Sequence, residues 1–261
     1  MKALITAATG MMAQELNVEV ISNNIANMRT TGYKRQRAEF QDLLYENIRA
    51  AGTQTSATGT VVPSGIQVGS GVKTAATHRI MSQGSVLRTE NELDVAIRGE
   101  GFFRISLPDG RTAYTRDGSF EIDANGTLVT VDGYAVDPQI TVPQNSQALT
   151  IARDGQVQVS IPGQTAPQTL GQIQLARFVN KAGLEAIGDN LFLETEASGE
   201  PQVGSPDDEG FGNLLQQHLE QANVNAVSEI SDLIAAQRAY EMNARIISAA
   251  DQMMQATSNL R

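Results

Sequence analysis

Two stripes of apolar side chains, one at each end of the chain, limit what this sequence can fold into. At alternating spacings of three and four, Met1, Leu4, Ala8, Met11, Glu15, Val18, Ser22 and Ile25 are apolar except at Glu15 and Ser22. The same spacing near the other end selects Ile230, Leu233, Gln237, Tyr240, Ala244, Ile247, Asp251 and Met254, with Gln237 and Asp251 as the breaks. A period near 3.5 predicts a helix with a coiled-coil type of seam at each end. The first is about 40 Å long at about 1.5 Å per residue. Asn27, Thr30, Thr31 and Gly32 form a cluster of stop signals after it. Asn223 and Asn225 are both candidate caps for the second, and neither Pro nor Gly occurs from Asn213 to Arg261.

Helices of this length are stable only when their stripes are covered. Pairing the two with each other still leaves Ile5, Met12, Val20 and Ile21 on the first, and Ile234, Ile246 and Met253 on the second. Two arrangements hide the remainder: helices from further copies of the chain, or packing of both helices onto the rest of the same molecule.

Between the helices the period changes to two. Leu93, Val95 and Ile97 alternate with polar residues, as do Phe103, Ile105 and Leu107, then Phe120 and Ile122, Val129 and Val131, and Val157, Val159 and Ile161. Asp109-Gly110, Asp117-Gly118, Asn125-Gly126, Asp132-Gly133 and Asp154-Gly155 punctuate these runs. That pattern predicts short antiparallel strands joined by tight hairpins, in a sandwich or irregular barrel. The expected fold is α+β and elongated. Its long N- and C-terminal helices form a coiled-coil-like pair, residues 1–30 and 223–261. A central, mainly antiparallel β domain occupies 86–193, and extended connecting arms occupy 31–85 and 194–222. The stretch from Ala50 to Gly71, rich in Gly, Thr, Ser and Ala, suits an extended arm.

Composition narrows the function. With 19 basic against 29 acidic residues the net charge is −10, which repels phosphate backbones and argues against nucleic acid as a partner. The one basic cluster, Arg29, Lys34, Arg35 and Arg37, reads as a solvated turn. The absence of Cys excludes disulfides and thiolate metal sites. The apolar stretch Ala3–Ala13 is interrupted by Thr6, Thr9 and Gly10, so it reads as the start of a mature helix and not as a cleaved leader. No run approaches the roughly 20 apolar residues that span a bilayer.

No catalytic pattern survives the same scrutiny. The two histidines, His78 on a polar arm and His218 at an amphipathic helix start, read as surface residues. Glu121, Asp123, Asn125 and Asp132 echo a calcium loop, but their flanks alternate with period two, so a hairpin is the expectation. Gly99-Glu100-Gly101 lacks the third glycine of a dinucleotide fingerprint and reads as a strand junction with close backbone approach. No cofactor and no metal are expected.

Several segments carry a family resemblance. Ser22-Asn23-Asn24-Ile25-Ala26-Asn27 followed by Thr31-Gly32-Tyr33-Lys34 resembles the N-terminal signature of flagellar rod and hook proteins. Leu93–Ile97 running into Gly99-Glu100-Gly101-Phe102-Phe103, and Tyr114–Phe120 after it, resemble their central motif. Asn223-Val224-Asn225, Gln237–Glu241 and Ala250–Met254 resemble their terminal helix. The likeness covers nearly the whole chain and is strongest to the distal-rod branch, because of the segment from Tyr45 to Val62.

The resemblance implies a helical homopolymer: a hollow, stiff shaft in the periplasmic part of the flagellar basal body, exported by the flagellar type III apparatus without a cleaved signal. Implied neighbours are proximal rod proteins and hook protein along the axis, with the P ring and L ring as a surrounding bushing. The interface expected from it comprises Leu4, Ala8, Met11, Val18, Asn23, Asn24, Ile25 and Asn27 at one end. At the other it comprises Ile230, Leu233, Ile234, Gln237, Arg238, Tyr240, Glu241, Ile247 and Met254. An arm through Tyr45, Ala50, Gly52, Thr55, Gly59 and Val62 is expected to bridge copies and keep the shaft straight. A proximal rod or hook subunit of the same family is the neighbouring reading. A secreted β-rich adhesin with a helical stalk is the reading of a different class.

Overall fold

The computed structural model describes residues 2–52, 64–162 and 166–259. The chain is α+β, with a helix near each end and an antiparallel β domain between them. It divides into two units: Met1–Ile25, Gln36–His78 and Asn225–Arg261 form the first, and Ala26–Arg35 with Arg79–Val224 the second.

The first unit holds helix α1, Lys2–Ala26, and helix α2, Ala226–Asn259. Asn225 is the cap of α2: its Oδ1 accepts hydrogen bonds from the amides of Val227 at 3.0 Å and Ser228 at 3.3 Å. Those are two of the amides that a helix start leaves without intrahelical partners. Two short ribbons complete the unit. Gln36–Asp42 pairs with Val72–Arg79, and Tyr45–Arg49 pairs antiparallel with Ile66–Gly69.

In the second unit, among the described residues, a nine-stranded sheet with antiparallel pairings carries most of the core. Val95, Ile97, Phe103, Ile105, Ile173 and Leu175 are fully buried. The few aromatic residues concentrate here in edge-to-face pairs: Phe103 with Phe120 at 5.1 Å, and Tyr114 with Phe178 at 4.7 Å. Four of the five turn dipeptides close hairpins between paired strands. Their glycines Gly110, Gly126, Gly133 and Gly155 sit at φ of 83–86°, where a side chain is strained.

Asp117-Gly118 does not. Thr112–Thr115 pairs with Phe102–Ser106 and Leu191–Leu193, while Phe120–Ile122 pairs with Leu128–Thr130, so the chain leaves one pairing for another between them. Gly118 is there because backbone passes close by: its carbonyl accepts the amide of Val95 at 2.9 Å, and a Cβ on it would meet the Val95 carbonyl oxygen at 1.7 Å. Gly99 and Gly101 are the expected close junction, with φ of 112° and 137°, and a Cβ on Gly99 would stand 3.0 Å from Gly212 Cα.

The strands run further than the alternation indicates. Asn213–Gln216 pairs with Val95–Arg98, and His218–Glu220 pairs with Val86–Arg88. His218 is therefore on a strand and not at a helix start. The physical reason is that Leu214, 1% exposed, fills the β core, which outweighs the helix-forming composition after Asn213.

Lys34 corrects the reading of the basic cluster as a solvated turn. Its ammonium is buried, donating to a carboxylate oxygen of Glu220 and to the Ser82 carbonyl at 2.9 Å. Arg116 lies on the other oxygen of Glu220 at 3.1 Å and donates to the Gly99 and Gly101 carbonyls at 2.9 and 2.8 Å. Burial holds the Lys34 ammonium below its usual range, and the Glu220 carboxylate opposes that. Asn223 clamps the same region, accepting the Arg35 amide at 2.7 Å and donating to the Ile80 carbonyl at 2.8 Å.

Candidate assembly surface

Two contacts set the geometry of the helix pair. Asn24 Nδ2 donates to Glu229 Oε2 at 3.0 Å, and a Cβ on Gly10 would come within 2.9 Å of Asn243 Nδ2. Moving from the first contact to the second goes fourteen residues back along α1 and fourteen forward along α2. The helices therefore run antiparallel in constant register. A side chain at position 10 would have to push the Asn243 amide aside.

The stripe that this chain covers by itself lies one residue away from the seam counted in the sequence. On α2 the buried positions among the described residues are Glu229, Ala236 and Ala250, each one place before Ile230, Gln237 and Asp251. On α1 they are Ala7, Ala13, Val20, Ile21 and Asn24, three of them one place before Ala8, Ser22 and Ile25. The polar breaks now have an explanation. Glu15, Ser22, Gln237 and Asp251 are exposed, because one residue is a rotation of about 100° around a helix. Val20 and Ile21, left over when the seam was counted, are buried, whereas Ile5 and Met12 are exposed at 59% and 68%.

The expected interface residues divide accordingly. Leu4, Ala8, Met11, Val18, Ile25, Asn27, Leu233 and Ile247 are half-buried. Asn23, Ile230, Ile234, Gln237, Arg238, Tyr240, Glu241 and Met254 are exposed. Asn24 is buried and fully engaged: its amide also donates to the Gln36 carbonyl at 2.8 Å and accepts the Gln36 amide at 2.9 Å. Periodicity gives no signal for such an internal clamp.

Helix α2 carries exposed apolar side chains beyond that stripe. Val227, Ile230, Ile234, Met242, Ile246 and Met253 are all at least 48% exposed. At about 100° per residue Val227 and Ile234 lie opposite Glu229, Ala236 and Ala250, Ile230 and Met242 lie on the two flanks, and Ile246 and Met253 lie one turn from Ala250 on its own side. Covering the exposed half of each side chain contributes about 1 kcal/mol. Six such residues outweigh surface ion pairs at about 0–1 kcal/mol each.

Alongside the helix contact runs a groove of about 520 Å³ lined by Glu15, Val18, Glu19, Gln237, Tyr240 and Glu241. In the ribbon that follows α1, Ile48, Ile66 and Tyr45 are exposed at 62%, 47% and 55%, with Leu44 beside it at 86%. Lys2 forms an ion pair with Glu46 of this ribbon. Ala50 and Gly52 follow the first strand and are exposed, whereas Thr55, Gly59 and Val62 lie outside the described residues. The echo of a calcium loop is an ordinary turn: Asp123 Oδ1 accepts the amides of Asn125 at 2.9 Å and Thr127 at 2.7 Å. Among the described residues no helix is long and apolar enough to cross a membrane.

Three family models match the sequence. The flagella basal body rod protein model covers residues 4–34, the D1 domain of flagellar hook protein FlgE/F/G covers 96–159, and the C-terminal model of the flagellar basal body rod FlgEFG protein covers 215–260. The chain is 61% identical to the flagellar basal-body rod protein FlgG of Caulobacter vibrioides over 261 residues, the full length of both. It is 53% identical to the protein of that name from Agrobacterium fabrum, over 97% of each chain. Against that of Borreliella burgdorferi the identity is 49%, over 100% of this chain and 99% of the relative.

Proposed function

The chain belongs to the flagellar basal-body rod protein family and is a structural subunit of the distal rod, and from that premise we propose how its surface builds the shaft. The two terminal helices act as a coiled-coil-like pair whose outer faces are covered by the helices of neighbouring copies. Repetition of that contact without closure gives a helical filament, hollow when its protofilaments join side by side. The role is mechanical: a stiff tube that carries torque and leaves a passage for later subunits. The observation that carries this reading is the set of exposed apolar side chains on α2, from Val227 to Met253, that lie outside the stripe the chain covers internally.

The Tyr45 to Val62 arm bridges adjacent copies and keeps the tube straight. Support comes from its exposed apolar side chains on a two-stranded ribbon, a structure only marginally stable without a partner. Along the axis the neighbours are proximal rod proteins on one side and hook protein on the other. The surrounding neighbours are the P and L rings of the periplasm, reached through the flagellar type III apparatus.

The test is polymerisation of the purified chain, followed by sedimentation and negative-stain electron microscopy across a concentration series. Tubes are expected from the native sequence. Ile234→Asp with Ile246→Asp, both at exposed positions, should leave a folded chain that stays in the supernatant. Polymerisation undiminished by these substitutions excludes the α2 face as the contact.

A further inference from the structure

The groove beside the helix pair has a charge pattern that its own chain leaves unanswered. Glu15 and Glu19 stand one turn apart on α1, and Glu241 faces the same groove from α2. No Lys or Arg lines it, and none of the three carboxylates has an ion-pair partner among the described residues. Val18 and Tyr240 give the groove an apolar part. The opposite pattern stands on the outer face of α2. Arg238 and Arg245 are exposed, seven residues and hence about 10 Å apart along one face, beside Ile234 and Met242. Neither arginine forms an ion pair among the described residues, even with Glu241, which stands one turn from each.

We propose that the acidic groove receives the Arg238–Arg245 ridge of a second copy of this chain. The inference rests on the polymerising role described above and specifies which surface meets which. A groove with three carboxylates and an apolar part fits a ridge whose cations are flanked by apolar side chains. At about 100° per residue Gln237 and Tyr240 of the groove and the two arginines of the ridge project from different sides of α2, with Glu241 on the border between them. A contact of groove with ridge is heterologous, so it propagates and does not end in a closed dimer. The apolar flanks supply most of the affinity, and the charges select the register and exclude groove-to-groove contacts.

The experiment uses two full-length variants with surface substitutions. One reverses the groove, Glu15→Lys with Glu241→Lys; the other reverses the ridge, Arg238→Glu with Arg245→Glu. Circular dichroism of each is expected to match the native chain, since all four positions are exposed. Each variant alone should need about tenfold more protein, or more, before it sediments as polymer, corresponding to about 1.4 kcal/mol per contact. An equimolar mixture should polymerise near the native concentration, because the intact groove of one variant then meets the intact ridge of the other, and the reversed groove meets the reversed ridge. If the native chain polymerises and both variants do so equally well, the groove–ridge contact is wrong and the rod reading stands. Loss of polymerisation in both variants without rescue on mixing also overturns the pairing. If the native chain forms no polymer under any condition, the polymerising role fails, and this inference with it.

Discussion

Asn24 and Glu229 are 205 residues apart in the chain, yet the Asn24 amide donates to the Glu229 carboxylate at 3.0 Å in the buried contact between the two terminal helices. Both side chains are polar in a stripe that helical periodicity reserves for apolar ones. They fix the register of the pair, because a slip of one turn leaves both groups buried without each other. A buried polar group without its partner costs about 1–3 kcal/mol.

Asn24→Ala is therefore expected to lower stability by about 2–3 kcal/mol, as it removes the bond to Glu229 and both bonds to the Gln36 backbone. Asn24→Asp should be worse near neutral pH, since a second carboxylate then faces Glu229 with no amide to donate. Urea unfolding followed at 222 nm ranks the two. A smaller loss for the aspartate removes the donor role of Asn24.

The triad of Lys34, Arg116 and Glu220 has two cations on one carboxylate, with side-chain exposures of 1%, 5% and 0%. Removing the carboxylate strands two buried positive charges, whereas removing Lys34 leaves a balanced pair. Glu220→Ala should cost about 3–5 kcal/mol and Lys34→Met distinctly less. Thermal unfolding of both variants checks the order, and equal losses contradict this view of the charge balance.

Tyr114 has its phenol pushed up to about 12, first by burial and then by the neighbouring Glu194 carboxylate, which its hydroxyl meets at 3.4 Å. The folded chain thus keeps a proton that the unfolded chain loses near pH 10. Between about pH 10 and 12 the native state binds more protons than the unfolded state, so stability falls as pH rises through that window. Absorbance titration at 295 nm should show one of the five tyrosines ionising last, and Tyr114→Phe should abolish that phase.

Gly118 and Gly110 separate steric from conformational demands on glycine. A Cβ on Gly118 would overlap the Val95 carbonyl at 1.7 Å, whereas around Gly110, at φ +85°, nothing stands within 4 Å. Gly110→Ala should cost about 1 kcal/mol from backbone strain. Gly118→Ala should disrupt the Val95 pairing and cost several times more. Comparable unfolding midpoints for the two variants refute the distinction.

Much of this architecture is local and was therefore legible in order. The 3.5-residue stripes marked both terminal helices, the alternation from Leu93 to Ile161 marked the β domain, and four glycine turns marked its hairpins, since each pattern reports on neighbours a few residues apart. What the stripes face was not legible. A helix apolar around much of its circumference does not say which part turns inward. The partner helix decided that, burying Glu229, Ala236 and Ala250 and leaving Ile230, Ile234 and Gln237 outside. Lys34, Asp117-Gly118 and His218 depart from their local patterns for the same reason: Glu220, Val95 and Val86–Arg88 are brought to them only by long-range closure of the β domain. Sequence fixes which elements form because their energies are local; their inner faces and buried charges depend on contacts that exist only once distant segments have met.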